Sequence, residues 1–338
     1  MTIDWIELLI MVAKAFIIAF GLLFGFAYLT WFERRLVARF QMRVGPNRVG
    51  PAGLLQPVAD ALKMFFKEDI IPAQADRPLY LLAPGIAMSA ALVSFAVVPV
   101  GPTIHILGRD ITLYLADVNV GMLVVIAVLA LGVYGIILGG WASNNKYSLL
   151  GGLRSAAQVI SYELPYGLAL IGVFMLAGSL SLVKIVEAQA RLPFIVLQPI
   201  GAVVFMIAAV AETNRSPFDL AEAENELVAG FQTEYSSIKF ALFFMGEYIS
   251  MLVASALVVT LFLGGWHGPV RPGVWWFFIK LVAVLFTFVW IRASWPRMRY
   301  DRLMALGWKV LVPLSVANLL VTAAALVARD AGLIPWIW

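Results

Sequence analysis

Cysteine is absent from the 338 residues, and histidine occurs only twice, at positions 105 and 267. Without thiolates the chain can ligate no iron–sulfur cluster, build no Cys-bound zinc site and form no disulfide. His105 and His267 fall in short polar connections, which leaves no pair for a bis-histidine haem within a membrane. Charge is scarce too. Asp, Glu, Lys and Arg make up 13% of the chain, about half of the roughly 25% usual in soluble domains. In their place stand apolar side chains, 62% of the total, with a mean hydropathy of +0.92. A soluble fold of this length cannot hide that much apolar surface, so lipid must be part of its solvent.

The apolar runs, bounded by polar, Gly and Pro residues, predict eight transmembrane helices. Their positions are about 5–32, 80–103, 113–141, 156–178, 194–213, 238–265, 273–294 and 303–328. The expected fold is an all-α polytopic membrane protein, a single integral membrane domain over residues 1–338. The first run is too long for a signal-peptide core and lacks a basic n-region and small-residue cleavage site, so it reads as an uncleaved anchor. Pro84, Pro165 and Pro313 interrupt spans, and each frees a carbonyl that neighbours must satisfy. No repeat is evident.

Orientation follows from the cations. With the N-terminus outside, the inner loops and their flanks hold 17 of the 24 Lys and Arg residues. The outer side then holds Arg109, Lys184, Arg191, Arg271 and Arg329, while Lys14 and Lys280 lie within spans. The positive-inside rule therefore predicts both termini outside, with inner loops at 33–79 and 213–237. The formal charge of +4 reflects this asymmetry and gives no support to nucleic-acid binding.

Within the first inner loop, residues 53–67 repeat apolar side chains at helical spacing: Leu54, Leu55, Val58, Leu62, Phe65 and Phe66. Gln56, Asp60, Lys63 and Lys67 take the other face, and Pro57 suits a first turn. Too short to span, this amphipathic helix either lies in the membrane interface or packs on the cytoplasmic surface. The Gly- and Pro-rich stretch 45–53 before it lacks the Lys–Ser/Thr pair of a phosphate loop.

Three glutamates stand where lipid would be: Glu163, Glu212 and Glu247. An ionisable side chain at a helix centre costs roughly 2.5–3.5 kcal/mol on insertion scales. Each could be a neutral hydrogen-bonding group that fixes helix register. Three in consecutive spans, two of them beside Tyr162 and Tyr248, favour a proton path. The loop at 213–237 sets Arg215 against Asp219, Glu222, Glu224, Glu226 and Glu234, a net charge of −4. If helical, Asp219, Glu222 and Glu226 share one face and repel. Flanking Ala, Leu, Phe and Pro favour a buried acidic cluster over a solvated loop. Basic first loop, acidic third loop and membrane glutamates together predict one polar cavity opening to the cytoplasmic side.

Three stretches then carry a resemblance. Trp31-Phe32-Glu33-Arg34-Arg35, followed by Gln41-Met42-Arg43-Val44-Gly45-Pro46-Asn47-Arg48-Val49-Gly50-Pro51, is the first. Ala211-Glu212-Thr213-Asn214-Arg215-Ser216-Pro217-Phe218-Asp219-Leu220-Ala221-Glu222-Ala223-Glu224 is the second, and Arg292-Ala293-Ser294-Trp295-Pro296-Arg297-Met298-Arg299-Tyr300-Asp301 the third. In order and length these resemble the H subunit of the proton-pumping NADH–quinone oxidoreductase, respiratory complex I, equivalent to mitochondrial subunit 1.

The resemblance implies eight spans and one amphipathic surface helix. It implies a membrane subunit that forms part of the quinone chamber, couples quinone reduction to proton translocation, and contains no complete active site alone. By matching positions, Glu163, Glu212 and Glu247 would form the acidic channel, and Asp219, Glu222, Glu224 and Glu226 the acidic loop leading to it. Arg34, Arg43, Asp60, Lys63 and Arg292 would line the chamber or its entrance, with Phe231, Tyr235 and Trp295 assigned there from their neighbourhood. The third span, Val118 to Trp141, holds no carboxylate, a departure from members with a further acidic position there.

The substrate implied is a quinone, ubiquinone or menaquinone. Flavin, iron–sulfur clusters, haem and metal would belong to other chains. Implied partners are the peripheral-arm subunits that carry or adjoin the terminal iron–sulfur cluster, neighbouring membrane-arm subunits, the lipid bilayer and quinone. A bacterial inner (plasma) membrane is the expected location, ahead of an organellar inner membrane. Two alternatives stay open on residues alone: a homologous subunit of a hydrogenase or formate-hydrogenlyase complex, and a stand-alone proton or cation transporter. The long charged inner loops resemble docking surfaces more than parts of a self-sufficient transporter.

Overall fold

A computed structural model describes residues 5–106, 109–221 and 224–332, apart from the side chains of Ile106, Glu224 and Asn225. The chain begins with α1 (Trp5–Phe40), followed by α2 (Gln56–Phe66), α3 (Arg77–Ser94), β1 (Ile104–Ile106), β2 (Arg109–Ile111), α4 (Gly121–Ala142) and α5 (Lys146–Ala177). Next come α6 (Leu182–Ala188), α7 (Phe194–Leu197), α8 (Pro199–Glu212), α9 (Glu224–Leu227), α10 (Ser237–Phe262) and α11 (Val274–Ser294). The last element joins α12 (Tyr300–Leu306), a π-helical turn at Gly307–Leu311 and α13 (Val312–Asp330). Seven helices among the described residues are long and apolar enough to cross a membrane: α1, α3, α4, α5, α10, α11 and the joined α12–α13. α8, at 14 residues, is a shorter apolar helix.

The fold is helical and membrane-type as expected, with differences that have physical causes. A small antiparallel hairpin, β1–β2, pairs His105 with Asp110, so the chain is not all helix. Alternating Ile, His and Ile, with Pro102 before them, suit extended backbone better than a helical turn. The third long helix consequently starts at Gly121, not at 113. α1 continues eight residues past its expected end because Glu33, Arg34 and Arg35 are good helix formers. Loss of apolarity there marks a change of solvent, not of conformation. α5 similarly starts ten residues early, where Asn145 accepts a hydrogen bond from the Tyr147 amide as an N-cap. The expected 53–67 helix is Gln56–Phe66, with Pro57 in its first turn.

α3 and α5 run unbroken through Pro84 and Pro165. Pro313 behaves differently, since the turn before it is widened to π-helix. Its missing N–H and its ring against the carbonyl four residues back both favour a looser turn there. The acidic loop holds no long helix among the described residues: 215–221 are turns, and α9 covers only Glu224–Leu227. Asp219 and Glu226 therefore do not share a helical face, contrary to the conditional expectation, and Glu222 lies outside the described residues.

The core forms around α10, whose Ile249, Val253, Ala256, Leu257 and Leu261 are fully buried. α1 instead leaves Trp5, Leu9, Phe16, Ile17 and Phe20 exposed, as a lipid-facing helix would. Small residues bring backbones together. A Cβ on Gly135 of α4 would stand 2.8 Å from the Ala83 carbonyl of α3, so this contact requires glycine.

Candidate functional site

Four charged side chains from four chain segments form a continuous ionic line. α1 supplies Glu33, α11 supplies Arg292, the turn after α8 supplies Arg215, and α10 supplies Glu247. Arg292 Nη1 donates to Glu33 Oε1, and Arg215 Nη1 lies 3.4 Å from the same oxygen. The Nε of Arg215 stands 2.7 Å from Glu247 Oε1, and its guanidinium carbon lies 3.9 Å from the Tyr248 ring centroid. The side chains of Glu33 and Arg215 are only 7% and 6% exposed. Two guanidinium groups alternate with two carboxylates, so the line is neutral when all four are ionised. A buried charge is tolerable only when paired in this way.

Arg215 is held by its own backbone. Gln158 of α5 donates to the Ala211 carbonyl at 2.6 Å and to Asn214 Oδ1 at 3.3 Å. These bonds clamp the end of α8, where Asn214 takes a left-handed conformation with φ 50°. The amide of Met298 then donates to the Pro217 carbonyl at 3.0 Å, joining the second and third motif stretches. The Ser216–Pro217 peptide is cis.

Glu247 faces a cavity of about 70 Å³ shared with Glu212, Tyr166, Thr213, Asn214, Phe231 and Ser250. One water needs roughly 10–15 Å³ of such space and two to four polar partners, so a short water file fits. Glu163 of α5 does not line this cavity but lies within electrostatic reach of Glu212. Asp219 is likewise within electrostatic reach of Glu247. Ionic line and cavity thus meet at Glu247.

On the other side of Glu33, the next residue of α1, Arg34, pairs with Asp60 of α2 at 2.6 Å. Gln56 donates to the same carboxylate at 3.1 Å, and Trp31 Nε1 donates to the Ala52 carbonyl at 3.2 Å. Lys63 is exposed on α2, and Arg43 is exposed and donates to Gln41. Val58, Leu62, Phe65 and Phe66 of α2 are exposed beside these polar groups. The result is an open amphipathic wall, polar along Arg34, Asp60 and Lys63 and apolar along Leu62 and Phe65.

The remaining candidate residues fall elsewhere. Glu226 is exposed and paired, 2.5 Å from Arg154 and 3.6 Å from Arg297. The Arg154 hydrogen bond, reinforced by Arg297, holds its carboxyl below the usual range despite slight desolvation. The Glu224 side chain is outside the described residues. Phe231 and Tyr235 are buried in an aromatic cluster with Tyr80 and Phe243, Tyr235 stacking on Tyr80 at 4.2 Å. Burial pushes the Tyr235 hydroxyl well above its ordinary range. Trp295 is exposed just beyond α11. Among the described residues no group of three His, Asp or Glu side chains could hold a metal ion.

Glu33 and Arg215 take part in the site although residue type and spacing give neither a role. Both stand inside the quoted motif stretches, and each is the lone opposite charge among like ones, Glu33 before two arginines and Arg215 before the acids. That contrast is the signal that marks them. Gln158 carries none, since a glutamine on an apolar helix is commonplace.

The comparisons agree on one family. The pattern of a family described as NADH dehydrogenase matches residues 13–323. The NADH-quinone oxidoreductase H subunit numbered 2 of Syntrophobacter fumaroxidans is 56% identical over 316 residues, covering 94% of this chain and 96% of that protein. The H subunit of the same enzyme from Thermomicrobium roseum is 55% identical, with 94% and 96% covered. The H subunit numbered 1 of Geobacter metallireducens is 53% identical over 324 residues, with 96% and 98% covered.

Proposed function

The chain belongs to the family of H subunits of NADH–quinone oxidoreductase, respiratory complex I, and on that premise we propose that it walls the quinone chamber and couples quinone reduction to proton movement. The observation that carries this reading is the unbroken line Arg292–Glu33–Arg215–Glu247 ending at the internal cavity.

In this reading the protein is one integral domain of a bacterial inner membrane, crossing it eight times with both termini outside. The eighth crossing is α8, about 21 Å long at 1.5 Å per residue, with the turn of α7 adding to it across the non-helical Gln198. The inner loops at 33–79 and 213–237 face the cytoplasm and dock the peripheral subunits that carry flavin and iron–sulfur clusters. α2 lies in the membrane interface.

The quinone head is met by the Arg34–Asp60 pair, Lys63 and Arg292, with Arg43 and Trp295 at the rim. Exposed Leu62 and Phe65 on α2 give the isoprenoid tail an apolar wall. A peripheral subunit closes the other side. Phe231 serves as a wall of the internal cavity, and Tyr235 as packing behind it, because both are too buried to touch quinone. Glu226, held ionised by two arginines, anchors the loop.

Coupling works through competition for Glu33. Added charge at the quinone head draws on Arg292 and loosens its hold on Glu33. Glu33 then pairs more closely with Arg215, which weakens the Arg215–Glu247 contact. A carboxylate losing its guanidinium takes up a proton from water in the cavity. Glu212 and Glu163 pass it on, and Asp219 feeds the cavity from the loop. Stoichiometry in liposomes tests this. The Glu247→Gln complex keeps electron transfer to quinone when uncoupled and translocates fewer protons per electron; an unchanged ratio would refute the coupling role.

A further inference from the structure

On another face of α10 from the acidic cavity, a groove of about 410 Å³ runs along the N-terminal half of α1, bounded by α10, α11 and the segment after β2. Its volume falls within the range of small-molecule pockets, and its lining is apolar except near one end. At that end Lys14 of α1 donates from Nζ to Thr112 Oγ1 at 2.8 Å. The Thr112 hydroxyl in turn reaches the Tyr114 carbonyl at 3.4 Å. From Lys14 the groove passes Gly21 and ends at Gly25 and Leu252. Its rims, Ile17 and Phe278, are exposed.

Three observations identify the occupant. The first is length: eleven residues from Lys14 to Gly25 rise about 16 Å, half of a hydrocarbon core of about 30 Å, or one leaflet. The second is charge. An ammonium has three donors, and among the described residues Lys14 has no carboxylate partner; Thr112 holds it without neutralising it. The other lysine within a span, Lys280, is engaged by the carbonyls of Leu263, Gly265 and His267 at the end of α10. The third is shape. A Cβ added to Gly21 would meet no atom within 4 Å, so the glycine leaves open space in the floor.

We propose that this groove holds an acyl chain of an anionic phospholipid, with the lipid phosphate hydrogen-bonded to Lys14 Nζ. Ammonium and phosphate form a charge-assisted hydrogen bond at the leaflet rim, where Lys side chains find anionic partners. The chain fills the floor left open by Gly21 and ends near mid-membrane, where Leu252 packs on Gly25. Assigning it to the outer leaflet rests on the orientation proposed above; occupancy of the groove does not.

The test uses the whole complex in bilayer discs doped with diazirine-acyl phosphatidylglycerol or diazirine-acyl phosphatidylcholine. Photolabel is expected on peptides spanning residues 14–25 and 274–281, with the anionic probe favoured about fivefold, the equivalent of one lysine near an anionic surface. Lys14→Gln abolishes that preference and Lys14→Arg keeps it. Gly21→Leu fills the groove and lowers labelling by both probes. Equal labelling by the two probes in the wild type would overturn the proposal, as would labelling indifferent to Gly21→Leu. Competition by added quinone, or cross-links from position 17 to a neighbouring subunit in place of lipid, would overturn it too. Reaction of Arg271→Cys with an impermeant thiol reagent reports the orientation separately.

Discussion

Arg215 and Glu247 meet at 2.7 Å, an ion pair that joins a buried loop arginine to a carboxylate on the cavity wall. Removing Arg215 strands Glu247 and leaves Glu33 with Arg292 alone. Arg215→Gln is expected to cost about 3–5 kcal/mol, the usual penalty for breaking a buried pair. Adding Glu247→Gln should return part of that loss by removing one stranded charge. Thermal unfolding of the purified complex checks the cycle; strictly additive losses would show that the two groups do not interact.

The Arg34–Asp60 pair bridges α1 and α2 on the open wall. Arg34→Ala and Lys63→Ala are each expected to raise the apparent KM for quinone several-fold while leaving the NADH-to-ferricyanide rate unchanged. A charge-swapped variant, Arg34→Asp with Asp60→Arg, should recover α2 placement yet bind quinone poorly. Quinone titrations and inhibitor curves read both effects, and wild-type values throughout would reduce these residues to structural ties.

Gly151 of α5 lies against the acidic loop so closely that a Cβ would stand 2.7 Å from the Phe231 amide and 2.8 Å from the Ala221 carbonyl. Gly151→Ala must therefore push the loop backbone away, at about 1–3 kcal/mol of overpacking. Faster hydrogen exchange over residues 229–233 is the expected signature, with lowered coupled activity. Unaltered exchange would mean the loop is not seated on α5.

Glu226 gives the loop a pH dependence of predictable sign. Arg154 and Arg297 lower its carboxyl in the folded protein, so its contribution is complete above the unfolded value of about 4.3 and fades as pH falls through the lower folded value. The pair is half exposed, which limits the effect to at most about 1 kcal/mol. Limited proteolysis of the loop between pH 5 and pH 3 should accelerate in the wild type more than in Glu226→Gln. Equal acceleration would remove Glu226 as the anchor.

Much of this arrangement is legible in the residues. Scarce charge locates the helices, and two of the three costly glutamates, Glu212 and Glu247, line the internal cavity. What periodicity does not supply is where helices end outside lipid, since Glu33, Arg34 and Lys146 continue helices past the apolar run. It also gives Arg215 no partner, because pairing across 182 positions with Glu33 is a property of packing. The hairpin at Ile104–Ile111 and the turns at 215–221 are short segments whose tertiary surroundings decide their form.

The proposed coupling rests on one step above the others, the transmission of charge by Glu33 from the quinone side to Glu247. Infrared difference spectra of quinone reduction, in the carboxylic C=O stretching region, test it most directly. The wild type should show a protonation band that disappears in Glu247→Gln and also in Glu33→Gln, while Glu33→Gln still reduces quinone. A Glu247 band that survives intact in Glu33→Gln would contradict that transmission.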